Sequence, residues 1–117
     1  MTRDQLFLLK PDFTDGVQGP CYCPACATLE GVLAFYPRLR PLLTVEYVDF
    51  ARPRAPVIAA IGAENQGLPA LVIGSDPAAD QALAGLDVRE AQGRRFLQSP
   101  GDIGRYFARR YGTGTPH

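Results

Sequence analysis

Short apolar runs alternate with helix-spaced apolar positions along this chain. Residues 5–10, Gln-Leu-Phe-Leu-Leu-Lys, are nearly all apolar and predict a short strand buried on both faces. Residues 11–20 hold Pro, Gly and Asp in pairs and predict a loop. From Pro24 the spacing turns helical. Cys26, Leu29, Leu33 and Tyr36 recur every three to four residues, and Val32 and Phe35 widen the stripe. Pro24 suits the first helical position, where its missing N–H costs nothing, and Pro37 stops the helix. Residues 42–50 are rich in β-branched and aromatic side chains and predict a second strand. After a linker over 51–55, Pro56 opens a short helix ending at Gly62. Asn65-Gln66-Gly67 predicts a turn before a third strand over 70–74. Residues 75–93 read as a loop with a helical turn near 78–85, and residues 94–97 as a short fourth strand. Ser99-Pro100-Gly101-Asp102 places a cap, a first-turn proline and an acid at the start of a last helix that runs to Gly112. Residues 112–117 read as a disordered tail. The order β-α-β-α-β-β-α predicts an α/β fold with a four-stranded mixed sheet, helices on both faces and an antiparallel final strand pair. A chain of 117 residues makes this one domain, 1–117.

Composition narrows the function classes. The chain is 46% hydrophobic and 21% charged, an ordinary globular balance. No apolar run approaches the roughly 18–20 residues of a membrane span, and the start lacks a signal-peptide layout, which predicts a cytoplasmic protein. Twelve basic residues balance twelve acidic ones, which argues against nucleic acid or an anionic membrane as partner. Arg94, Arg95, Arg105, Arg109 and Arg110 gather late in the chain, as a solvated helix face or as an anion-facing surface. His117, the only histidine, lies in the tail, so no Ser-His-Asp or Cys-His arrangement can be built. The glycines are too scattered for a phosphate loop. Monomer and homodimer both remain open.

The chemistry-bearing feature is Cys21-Tyr22-Cys23-Pro24-Ala25-Cys26. All three cysteines fall in one short segment, so a disulfide among them would restrict the unfolded chain very little. Clustered thiols in a reducing compartment point to redox chemistry or metal ligation. A helix N-terminus offers free N–H groups and partial positive charge to a thiolate. In the C-x-x-C spacing, Cys23 is then the exposed attacker and Cys26, one turn in on the apolar face, the resolver. The alternative is a metal site, zinc or an iron–sulfur cluster, on Cys21, Cys23 and Cys26, with the buried-cap reading as the plain structural one. Tyr22 flanks the thiols and either lines a groove or is a partly buried loop residue. Arg52 and Arg54 follow the second strand, where strand ends and helix starts attract anions, and predict a carboxylate or phosphate clamp. A cis bond between Leu68 and Pro69, ahead of the third strand, would present the backbone of residue 68 to an extended thiol substrate.

On Cys23-Pro24-Ala25-Cys26, Gly67-Leu68-Pro69-Ala70-Leu71-Val72-Ile73-Gly74, and Gly93 to Ser99 followed by the Ile103–Phe107 helix, the chain resembles the thioredoxin-like superfamily. Its nearest branch is glutaredoxin and the N-terminal domain of glutathione transferases. Phe-Leu-Leu-Lys-Pro near the start and the run from Tyr47 to Arg54 also resemble a small bacterial thioredoxin-like family of unassigned function. The resemblance implies a three-layer thioredoxin-like fold and a glutaredoxin-like thiol-disulfide oxidoreductase acting on a small thiol or a protein disulfide. It implies Cys23 as nucleophile, Cys26 as resolving thiol, Pro24 within the motif, and Leu68-Pro69 as a substrate shelf. It also implies glutathione as a co-substrate, held near Gln98 and Ser99, with Gln98 standing where the transferases carry an acid. Cys21 has no counterpart in that motif.

Overall fold

The computed structural model describes residues 2–117. Seven strands and four α-helices follow in order: β1 (Gln5–Leu9), β2 (Phe13–Asp15), β3 (Gln18–Cys21), α1 (Pro24–Phe35), β4 (Thr44–Val48), α2 (Ala55–Ile61), β5 (Ala70–Val72), α3 (Ala79–Ala82), β6 (Arg89–Ala91), β7 (Arg94–Leu97) and α4 (Pro100–Tyr111). A 3-10 segment, Pro37–Leu42, joins α1 to β4. The main sheet has the order β4-β1-β5-β7-β6, with β1 parallel to β4 and antiparallel to β5. The fold is α/β with a mixed sheet, as the sequence pattern predicts.

Alternation along β1 explains the layers. Leu6 and Leu8 face α1 and α4, where Leu29, Leu33, Ile103 and Phe107 pack on them. Phe7 faces the opposite side with Val57, Ile61 and Phe96, the cluster covered by α2. A strand buried on both faces needs a continuous apolar run, which is what residues 6–9 supply.

Three expectations are corrected. The main sheet has five strands rather than four, because Arg89–Ala91 adds an edge strand beside β7. Arg89 and Glu90 are polar and exposed and only Ala91 is half-buried, so no apolar alternation marks it. The turn joining them places Gln92 and Gly93 at φ 53° and 72°, the positive pair a two-residue hairpin needs. Residues 11–20 are not all loop, since β2 and β3 form a separate antiparallel hairpin. Phe35 does not extend the buried stripe and is 82% exposed. It lies two residues past Leu33, ~200° around the helix, and so points away from the core.

The C-terminal segment is anchored where a disordered tail is expected. The Arg38 guanidinium donates to the Tyr111 and Gly112 carbonyls at 2.9 and 3.0 Å, and the Gly114 N–H donates to the Tyr36 hydroxyl at 3.1 Å. Gly- and Thr-rich sequence carries no apolar signal for contacts made through its backbone.

A buried carboxylate ties the start of β1 to α4. Asp4 accepts the Gly74 N–H at 2.6 Å and the hydroxyls of Tyr106 and Tyr111 at 2.5 and 2.6 Å. Gly74 is required here, because a Cβ would sit 2.2 Å from the Thr2 carbonyl oxygen. Burial, followed by the hydrogen bond to Asp4 and its charge, pushes both phenol pKa values upward. Their neutral forms are therefore favoured by folding. Unfolded tyrosines ionise near pH ~10, so this stability is fully present below about pH 10 and is lost as the pH climbs through the raised folded-state values. Melting temperatures measured across this range should fall on the alkaline side, less steeply in Tyr111→Phe. Equal alkaline slopes in the two proteins would contradict the assignment.

Candidate functional site

The site forms beyond the C-terminal end of β1, where α1 begins. Cys23 is the N-cap of α1, with extended backbone at φ −82° and ψ 114°. Its Sγ accepts the Cys26 N–H at 3.2 Å, one of the donors a helix start leaves without a partner. Pro24 occupies the first turn, as its missing N–H allows. Cys26 stands one turn in and is 4% exposed, whereas Cys23 is half-buried. The Leu9 N–H donates to the Cys26 Sγ at 3.5 Å. Burial pushes the Cys26 thiol up to about 12. The Leu9 N–H opposes this, the neighbouring Cys23 reinforces it, and the Arg54 charge opposes it. All three cysteines are free thiols.

Arg54, whose charge reaches the thiol pair, is only 6% exposed. Its Nε and Nη2 donate to the Phe50 carbonyl at 3.0 and 2.7 Å, and its Nη1 donates to the Gln66 carbonyl at 2.7 Å. The Gln66 side chain in turn accepts the Arg54 N–H at 2.8 Å. Arg54 thus joins the loop after β4 to the loop before β5. No carboxylate among the described residues forms an ion pair with it. Burial lowers its pKa, the charge of Arg52 lowers it further, and Cys26 and Cys23 act in the opposite direction. The guanidinium is held by carbonyls and exerts its charge on both sulfurs. Arg52 is exposed, whereas Arg54, its partner in the anion clamp the sequence suggests, spends its donors on these carbonyls.

A groove of about 310 Å³ opens against Cys23 and Cys26. Leu9, Pro11 and Ala27 give it apolar walls, and Tyr22, 65% exposed, and Tyr47 stand at its rim. Glu30 is its one carboxylate. Glu30 accepts from the Tyr47 hydroxyl at 2.9 Å and from Arg40 at 3.0 Å.

The remaining predicted residues gather nearby in other roles. Ala70 pairs with Phe7, which brings Leu68 and Pro69 to the same end of the sheet as the thiols. The Leu68–Pro69 bond is cis, as are Gly19–Pro20 and Arg52–Pro53. Leu68 packs against the cluster that holds Cys26. The Gln98 amide donates to the Gly67 carbonyl at 3.3 Å, while the Ser99 hydroxyl caps α4 by accepting the Asp102 N–H at 3.3 Å. Cys21 ends β3, and its thiol donates to the Gln18 carbonyl at 3.6 Å. Among the described residues, no three His, Cys, Asp or Glu side chains are placed to hold a metal ion. Four of the five late arginines are occupied: Arg95 pairs with Asp80, Arg110 with Asp76 and Arg105 with Asp102, and Arg109 donates to backbone carbonyls at residues 82 and 84. No helix among the described residues is long and apolar enough to cross a membrane.

Sequence reasoning did not find Glu30 or Tyr47 as groove residues, Arg40 as their partner, or Arg54 as an internal tie. Glu30 interrupts an apolar stretch of α1, the one local signal that this face is not simply core.

A family model matches residues 3–115, nearly the whole chain. The chain belongs to the DUF3088 family. The description of that family is "Protein of unknown function (DUF3088)". No curated protein and no solved structure matches the chain.

Proposed function

We propose that this protein carries out thiol–disulfide exchange, with Cys23 attacking and Cys26 resolving, on a thioredoxin-like scaffold in a reducing compartment such as the cytoplasm. The reading is carried by the Cys23 sulfur, half-buried at the first turn of α1 and accepting the Cys26 N–H. The strand order and the parallel β1–β4 pair, with α1 starting past the end of β1, support the scaffold.

The Cys23 thiolate attacks one sulfur of a disulfide R–S–S–R. The Cys23–S bond forms, the S–S bond breaks, and the first thiolate leaves and takes up a proton. Cys26 then gives up its proton and attacks the Cys23 sulfur. The Cys23–Cys26 bond forms as the second thiolate departs with a proton. The protein loses two hydrogens, and the substrate is reduced to two thiols. Burial, which chiefly raises the Cys26 pKa, persists through this step; the smaller contribution of Cys23 is lost once Cys23 is covalently blocked, while the Leu9 N–H and the Arg54 charge, which favour the Cys26 thiolate, remain. The substrate is a small thiol's disulfide, glutathione disulfide among them, or a protein disulfide.

A Cys21→Ser background leaves two thiols to follow. There, a small disulfide should yield an intramolecular Cys23–Cys26 bond in the otherwise unchanged protein, and a mixed disulfide trapped on Cys23 in Cys26→Ser, both located by peptide mass mapping. If no disulfide joins Cys23 to Cys26 and the probe does not stay on Cys23 in the trap, the proposal fails.

A further inference from the structure

We infer that the groove beside the two sulfurs selects a small, uncharged, largely apolar disulfide over glutathione disulfide. This rests on the exchange reading and names the substrate class it serves. Both sulfurs line the groove, so an occupant lies against the reacting atoms. At about 310 Å³ it stands at the small end of the roughly 300–1,000 Å³ range of ligand pockets. Beside the sulfurs its lining is Leu8, Leu9, Pro11 and Ala27 with two tyrosines, and Glu30 is the one charged side chain.

Charge decides between the candidates. Glutathione disulfide carries several carboxylates and needs cations to hold them. The cations beside the groove are already matched. Arg40 is bound to Glu30 at 3.0 Å, and Lys10, between the lining residues Leu9 and Pro11, pairs with Asp49 at 2.9 Å. Arg54 is turned inward onto the Phe50 and Gln66 carbonyls. The one carboxylate facing the groove, Glu30, is matched by Arg40 in turn, so the pair offers an anion no net positive charge. Gln98 and Ser99 are engaged with Gly67 and with the start of α4. An apolar chain entering the groove gains burial without giving up a charge's hydration. The exchange balances as above: the protein dithiol and R–S–S–R give the protein disulfide and two R–SH.

The test compares dipropyl disulfide, bis(2-hydroxyethyl) disulfide and glutathione disulfide. Their rates of oxidising the reduced Cys21→Ser protein, followed by intact mass, are each divided by the rate with dithiothreitol to remove intrinsic reactivity. Dipropyl disulfide should be favoured by about tenfold or more over the hydroxyethyl compound, with glutathione disulfide the slowest. Ala27→Gln puts an amide into the groove from an exposed helix position and should erase most of that preference. Ala34→Gln, exposed on the same helix outside the groove, should keep it. Equal normalised rates, or a preference untouched by Ala27→Gln, overturn the groove inference alone. Failure of every disulfide to join Cys23 to Cys26 overturns the exchange reading and this inference with it.

Discussion

Asp4→Ala should destabilise the protein by about 3–5 kcal/mol, a large share of the roughly 5–15 kcal/mol that holds a domain together. Asp4 is buried and receives three hydrogen bonds, two from tyrosine hydroxyls and one from the Gly74 N–H. Alanine leaves these donors facing a small void. Tyr106 is fully buried, so its hydroxyl has no water to turn to. Each stranded buried donor costs about 1–3 kcal/mol, and a charged acceptor makes the loss larger. Asp4→Asn keeps the shape and one carbonyl oxygen and should lose less than half as much. Urea unfolding of the three proteins at neutral pH decides the matter. An Asp4→Ala midpoint equal to wild type would show that the carboxylate holds nothing together.

Arg54→Met should act on stability and chemistry together. Methionine keeps much of the apolar stem but removes the donors to the Phe50 and Gln66 carbonyls, costing about 2–4 kcal/mol for two buried acceptors left open. It also removes a positive charge that favours the Cys26 thiolate. The Cys26 thiol should be pushed further up, and the resolving step should slow by about three- to tenfold at neutral pH. The mixed disulfide on Cys23 should then persist in Arg54→Met and be visible by quenched-flow mass analysis. Arg54→Lys keeps the charge without the planar fork, so it should recover resolution better than stability. Loss of stability with an unchanged resolving rate would reduce Arg54 to a tie between loops.

Local chemistry made much of this legible. The apolar run of β1 and the proline starts of α1, α2 and α4 are one-dimensional signals, and each is found within a few residues of where the pattern puts it. The same holds for the Ser99 cap. Cys23 at the helix start followed from Pro24 and the spacing alone. What was hidden depends on distant residues meeting. Asp4 reads as a polar residue before a strand, and only the fold brings it to Tyr106 and Tyr111. Arg54 reads as half of an anion clamp with Arg52, and it is internal because two loops offer it carbonyls. Edge strand β6 escaped notice because its pairing is made by backbone, not by apolar side chains.

The β2–β3 hairpin is rooted by Phe13 stacked on Phe50, centroids 4.3 Å apart and planes within 3°. Phe50 in turn gives its carbonyl to Arg54. The hairpin is flanked by Pro11 and Tyr22, both of which line the groove. Its tip, Val17, projects fully into solvent. A dye attached there would ride on an arm whose root touches both the pocket and the buried cation, and it would report an arriving guest by its emission while leaving the sulfurs untouched.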